Sequence, residues 1–191
     1  TIIFGCCIYL LPSFVLIYTH GVTDVNYYRV IFSTIIILAE YIYCVRDPYV
    51  AVVYAAGKFK ETANSAYIEA IINIVLSIIL VFKFGLEGIA VGTFIGMFYR
   101  MLYLVWFVNK HIMPHPMWKM LKRLCISIGT IIVSYLLVSV FDTTGSPTLI
   151  LWMKNGVICL VVFCIITITL NLIFDNKLSL AIYRRVKSKR G

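Results

Sequence analysis

Five ionisable side chains stand inside long apolar runs of this chain: Glu40, Arg46, Asp47, Glu69 and Arg100. A charge at membrane depth is costly, so such residues face a cavity, water or an opposite charge. Their chemistry would be binding and coupling rather than bond making. Arginine holds carboxylates and phosphates. The acids Glu40, Asp47 and Glu69 are candidates for exchanging a proton or a cation during transport. The five sum to minus one, so proton, cation and anion sites stay equally open on these residues alone.

Arg46-Asp47 is followed by Pro48. Proline has no backbone N–H and is expected to kink a helix. A kink beside a charge pair suits a helix that bends or binds during transport. Equally, the pair could simply hold a helix bundle together. Ser65, Glu69, Asn73 and Ser77 recur every four residues and fall on one helical face. Such a stripe either lines a wet cavity or bonds a neighbouring helix. Gly88, Gly92, Gly96 and Arg100 share the same spacing, and the glycines invite close approach of another backbone. Counting about 1.5 Å per residue, Glu69 and Arg100 lie at similar depth and are expected to pair. The substrate-cavity candidates are therefore Arg46, Asp47, Glu69, Asn73 and Arg100.

Enzyme chemistry finds little support. The chain has no Gly-rich phosphate loop, no serine nucleophile elbow, no HExxH and no aspartate-rich magnesium cluster. His111 and His115 are four apart, but Pro114 and Pro116 interrupt the helix that would align them. The six cysteines lie in or beside apolar runs without metal-ligand spacing, so they read as packing residues. Neither a metal nor a cofactor is expected.

These residues need helices in a bilayer to position them. Hydrophobic residues make up 62% of the 191-residue chain and charged ones 13%, with a mean hydropathy of +0.97. A soluble domain carries about 25% charged residues. The runs do not alternate as barrel strands would. Six spans are expected, over 1–18, 30–56, 63–82, 89–108, 124–141 and 149–174. Gly21, Asp24 and Asn26, then Gly57, Gly85 and Gly88, Pro114 and Pro116, and Gly145 and Pro147 mark the connections. Met113, Met117, Trp118, Met120 and Leu121, mixed with Lys119, Lys122 and Arg123, suggest a short segment lying at the inner interface. The first run contains Pro12 and lacks a basic leader, so it reads as a span. The expected architecture is that of an all-α membrane protein with about six transmembrane helices. The chain reads as the C-terminal part of a longer protein.

Basic residues orient the spans. Lys58 and Lys60, then Lys110, Lys119, Lys122 and Arg123, then Lys177, Arg184, Arg185, Lys187, Lys189 and Arg190 fall on one side. They are twelve of the 17 Lys and Arg, against Arg29, Lys83 and Lys154 opposite. That bias predicts a cytoplasmic side for the twelve, with the basic tail 175–191 inside. The net charge of +9 then follows from topology and anionic lipid, and no nucleic acid is required.

Within 46–110, Gly57-Lys58-Phe59-Lys60, then Ile72-Asn73 and Ser77, then Phe84-Gly85-Leu86-Glu87-Gly88-Ile89-Ala90-Val91-Gly92-Thr93 occur in order. This set resembles the C-terminal half of Wzx-type polysaccharide flippases, in the multidrug/oligosaccharidyl-lipid/polysaccharide exporter superfamily. The resemblance covers about a third of the chain. It implies that the six helices form one lobe of a two-lobe transporter, which works by alternating access in the bacterial cytoplasmic (inner) membrane and moves lipid-linked oligosaccharide units for cell-surface polysaccharide synthesis. It further implies that Arg46 and Arg100 meet the pyrophosphate of a polyprenyl carrier, and that an N-terminal lobe supplies the other cavity wall. The alternative is a cation-coupled multidrug antiporter of the related fold, driven through Glu40, Asp47 and Glu69. A purely structural bundle would instead make Arg46, Glu69 and Arg100 matter for abundance alone.

Overall fold

The computed structural model describes residues 1–20, 22, 28–114, 117–140 and 148–174. Gly21, Asp24, Asn26, His115, Pro116, Phe141, Gly145, Pro147 and the basic tail 175–191 lie outside the described residues. Among the described residues the chain is all-α, with six helices and no strand. They are α1 (Ile2–Tyr18), α2 (Val30–Ala55), α3 (Phe59–Phe84), α4 (Leu86–His111), α5 (Met117–Val140) and α6 (Leu149–Phe174).

Among the described residues, four stretches are long and apolar enough to cross a membrane: Phe59–Phe84, Leu86–His111, Met120–Val138 and Leu149–Leu170. Helix α1 is apolar but has only 17 residues. Helix α2 has 26 residues but carries Glu40, Arg46 and Asp47 in its middle. It continues as a helix through Pro48.

Helices α3 and α4 run past the apolar stretches that signal them. The first turn of α3, with Lys60 and Glu61, is polar yet helical. Glu61 and Glu87 sit in the first turns of α3 and α4, and Lys83, Lys110 and His111 in their last turns. Each charge opposes the helix dipole at its end. Gly88 belongs to α4 and does not break it; Gly85 alone makes the turn. Its φ of 60° and ψ of −136° suit only glycine, which lets one residue end α3 and start α4. From Met117 onward, the backbone of the segment expected at the inner interface is helical and opens α5.

The helices divide into two units. One holds Gly21–Met120 and so contains α2, α3 and α4. Helix α4 is its centre, with α3 and α2 both packed on it and touching each other little. Val53, Leu104, Phe107 and Val108 form a buried cluster between α2 and α4. Lys58 Nζ donates to the His111 carbonyl at 3.3 Å, bringing the start of α3 to the end of α4. Tyr54 stacks on Phe59 across the Gly57 turn.

The other unit holds Thr1–His20 and Leu121–Gly191. Its core is Cys6, Val138, Cys159 and Phe163, joining α1, α5 and α6. Trp152 Nε1 donates to the Leu10 carbonyl at 3.0 Å. Thr1 Oγ1 donates to Ser127 Oγ at 3.2 Å, and Tyr9 meets Tyr135 edge to face.

Candidate functional site

The polar stripe of α3 and the glycine face of α4 are two halves of one interface. A Cβ on Gly88 would collide with the Leu80 backbone. One on Gly92 would sit 2.5 Å from Ser77 Oγ and 2.8 Å from its nitrogen. One on Gly96 would lie 3.1 Å from the Glu69 carbonyl oxygen and 3.4 Å from Asn73 Cβ. The missing side chains thus let the α3 backbone close onto α4, and polar groups fill the seam. Ser65 is buried and donates to the Thr62 carbonyl at 2.6 Å. Asn73 Oδ1 lies within hydrogen-bond reach of Ser77 Oγ (3.1 Å) and Thr93 Oγ1 (3.2 Å). Of the two uses open to such a stripe, bonding a neighbouring helix is the one these contacts display.

One turn below Asn73, this seam becomes ionic. Arg46 Nη1 of α2 donates to Glu69 Oε1 at 2.7 Å. Arg100 Nη1 of α4 donates to Glu69 Oε2 at 2.8 Å. One carboxylate on α3 therefore bridges guanidiniums from both other helices of the unit. Arg46 is buried, Glu69 is 15% exposed at its side chain and Arg100 26%. The Arg46 guanidinium also sits 4.6 Å from the centroid of the Tyr43 ring, a cation–π contact. Arg100 Nε is buried and has no hydrogen-bond partner among the described residues.

The expected Glu69–Arg100 approach is present, and Arg46 joins it. Sequence reasoning did not find the Arg46–Glu69 pair, because depth along a helix does not tell which way Arg46 faces on α2. It also overlooked Tyr43 and Thr93, which carry no periodic signal of their own. Glu40 and Asp47 are not brought to this cluster. Both are exposed on α2, and among the described residues neither forms an ion pair. Arg46 and Asp47 thus face different surroundings despite being neighbours. Pro48 is exposed beside Asp47. A second ion pair, Arg29 with Glu87 at 3.6 Å, joins the start of α2 to the start of α4.

Chemically, the cluster holds two cations and one anion in a largely apolar setting, a net charge of plus one. It can bind and orient an anion. His111 stacks on Phe107 at 4.6 Å, at the far end of α4 from Gly85.

The family model described as lipid II flippase MurJ matches residues 15–156, about three quarters of the chain. No curated protein and no solved structure matches the chain. The apolar helices and a match to a family of membrane flippases, which are transporters rather than enzymes, make this a multi-pass membrane protein. The chain belongs to the MurJ family of lipid II flippases, which act on a lipid-linked glycan precursor.

Proposed function

We propose that this protein is a flippase for glycans linked to a polyprenyl diphosphate, working in the bacterial cytoplasmic membrane. The chain forms one six-span lobe of a two-lobe alternating-access transporter, with the other lobe supplied N-terminal to it. The basic tail lies on the cytoplasmic side. The family match is the observation that carries this reading.

The ionic cluster supports it chemically. A flippase must draw a polar diphosphate and sugar off the membrane surface while the lipid tail stays in the bilayer. Arg46 and Arg100 offer planar guanidiniums, the preferred partners of phosphoryl oxygens. Glu69 and Asn73 line the same seam, and the exposed acids Glu40 and Asp47 on α2 are available to couple transport to a cation. Gly88, Gly92 and Gly96 keep α3 and α4 together as one body.

The glycan we favour is the repeating unit of a surface polysaccharide. A peptidoglycan precursor is the second reading, favoured by the family's own description. The test is rescue by the full-length protein in two hosts, one lacking its polysaccharide flippase and one depleted of its lipid II flippase. Restored surface polysaccharide supports the first reading, and restored growth of the depleted host supports the second. Rescue of neither host by a well-expressed protein, together with cation-driven export of a small dye, overturns both in favour of a multidrug antiporter.

A further inference from the structure

Glu69 spends each of its oxygens on a different guanidinium. That leaves roughly ten N–H donors on two arginines facing a carboxylate with about four acceptor sites. The excess is visible at Arg100, whose buried Nε has no hydrogen-bond partner among the described residues. A phosphoryl group offers more acceptor oxygens and more negative charge than a carboxylate.

From this geometry we infer that Glu69 is a resident counter-ion, displaced when a substrate diphosphate arrives and returning to expel it. The inference rests on the flippase reading above. Without substrate, Glu69 offsets one of the two arginine charges and ties α3 to α2, two helices that otherwise touch little. The arriving diphosphate takes both guanidiniums and frees the carboxylate. α3 is then no longer tied to α2 at this level, while the glycine seam still holds α3 to α4. When the substrate faces the other side, Glu69 competes for the arginines again and weakens their hold. A site with arginines alone would bind well and release poorly.

The experiment compares the purified full-length protein with its Glu69→Gln, Glu69→Asp, Arg46→Gln and Arg100→Gln variants in phosphatidylcholine nanodiscs. Inorganic pyrophosphate and farnesyl diphosphate are titrated calorimetrically, with a thermal melt of each variant. Glu69→Gln is expected to bind farnesyl diphosphate about tenfold tighter, as the loss of a competitor worth about 1.4 kcal/mol would give, and to turn over more slowly. Glu69→Asp has a shorter arm that cannot span both guanidiniums and shifts affinity in the same direction by less. It decides the matter should Glu69→Gln not fold. A purely structural Glu69 would lower the melting temperature without raising affinity in either variant, which overturns the inference. If the arginine variants weaken binding while the Glu69 variants leave it unchanged, the counter-ion role fails and the flippase reading stands. If the arginine variants bind as the wild type does, the cluster is not the diphosphate site and the counter-ion inference fails, while the flippase reading, carried by the family match, stands. Equal competition by phosphatidylglycerol in the nanodisc would make the ligand a lipid headgroup and overturn the diphosphate reading.

Discussion

A carboxylate shared by two guanidiniums is easier to bury than any of the three charges alone, but only while all three remain. Removing one member of a buried ionic cluster leaves an uncompensated charge, at a cost of about 3–5 kcal/mol. Glu69→Ala strands two arginines and should lose folded protein by roughly that amount, read as a collapse of the thermal melt. Asp47→Asn, one residue from Arg46 but exposed, should stay within about 0.5 kcal/mol of wild type in the same melt. If Asp47 serves coupling, its neutral variant should instead change how transport depends on the cation gradient. Equal destabilisation by the two substitutions would count against the cluster as the anchor of this unit. The ionisable residues were all legible as costly at membrane depth. Of their pairings, Glu69 with Arg100 was legible from matched depth; that Arg46 shares the same carboxylate was not, since it depends on rotation of α2 about its own axis.

At the scale of elements, α3 and α4 form a hairpin whose seam combines absent side chains with short polar ones. Van der Waals contact and hydrogen bonds, not hydrophobicity, join helices inside lipid. Gly92→Ala would force a Cβ to 2.5 Å from Ser77 Oγ, so α3 must back away. Overpacking of this kind costs about 1–3 kcal/mol. Gly129→Ala is the control, because nothing lies within 4 Å of the added Cβ in α5. Its better helix propensity should leave the melt unchanged or raise it by up to about 1 kcal/mol. A Gly92→Ala melt matching that of Gly129→Ala would mean that the seam is looser than its geometry. The polar stripe and the glycine face were each visible from their period of four. That they interlock follows from the antiparallel turn at Gly85, which sets Gly92 against Ser77 and Gly96 against Asn73.

For the whole molecule, topology follows from the ends of the helices. The Lys58–His111 contact gathers Lys58, Lys60 and Lys110 at one end of the unit formed by α2, α3 and α4, while Arg29 and Glu87 meet at the other. In the topology proposed above, the lysine end is the cytoplasmic one, as the positive-inside rule would have it. In a cysteine-free background, Lys83→Cys should react with a membrane-impermeant maleimide in intact cells. Lys60→Cys should react only after the membrane is opened. The reverse pattern would invert the proposed orientation. Apolar run lengths anticipated six helices in their observed order, because crossing hydrocarbon demands about 20 apolar residues whatever surrounds them. They did not anticipate how far α3, α4 and α5 extend beyond those runs. The flanking residues, such as Lys60 and Glu61, are polar yet helix-forming.

The sequence by itself determined that this chain is a bundle of membrane helices, which faces of α3 and α4 differ from lipid-facing ones, and which charges need a partner. Those properties are local: each follows from residue type and a helical period of 3.6. Only the tertiary structure decided that Arg46 and Arg100 divide one carboxylate between them, that Glu40 and Asp47 stand apart, and that the stripe of α3 packs on the glycines of α4. Contacts across 23 and 31 residues depend on turn geometry and on how closely two backbones can approach, and no local pattern encodes either.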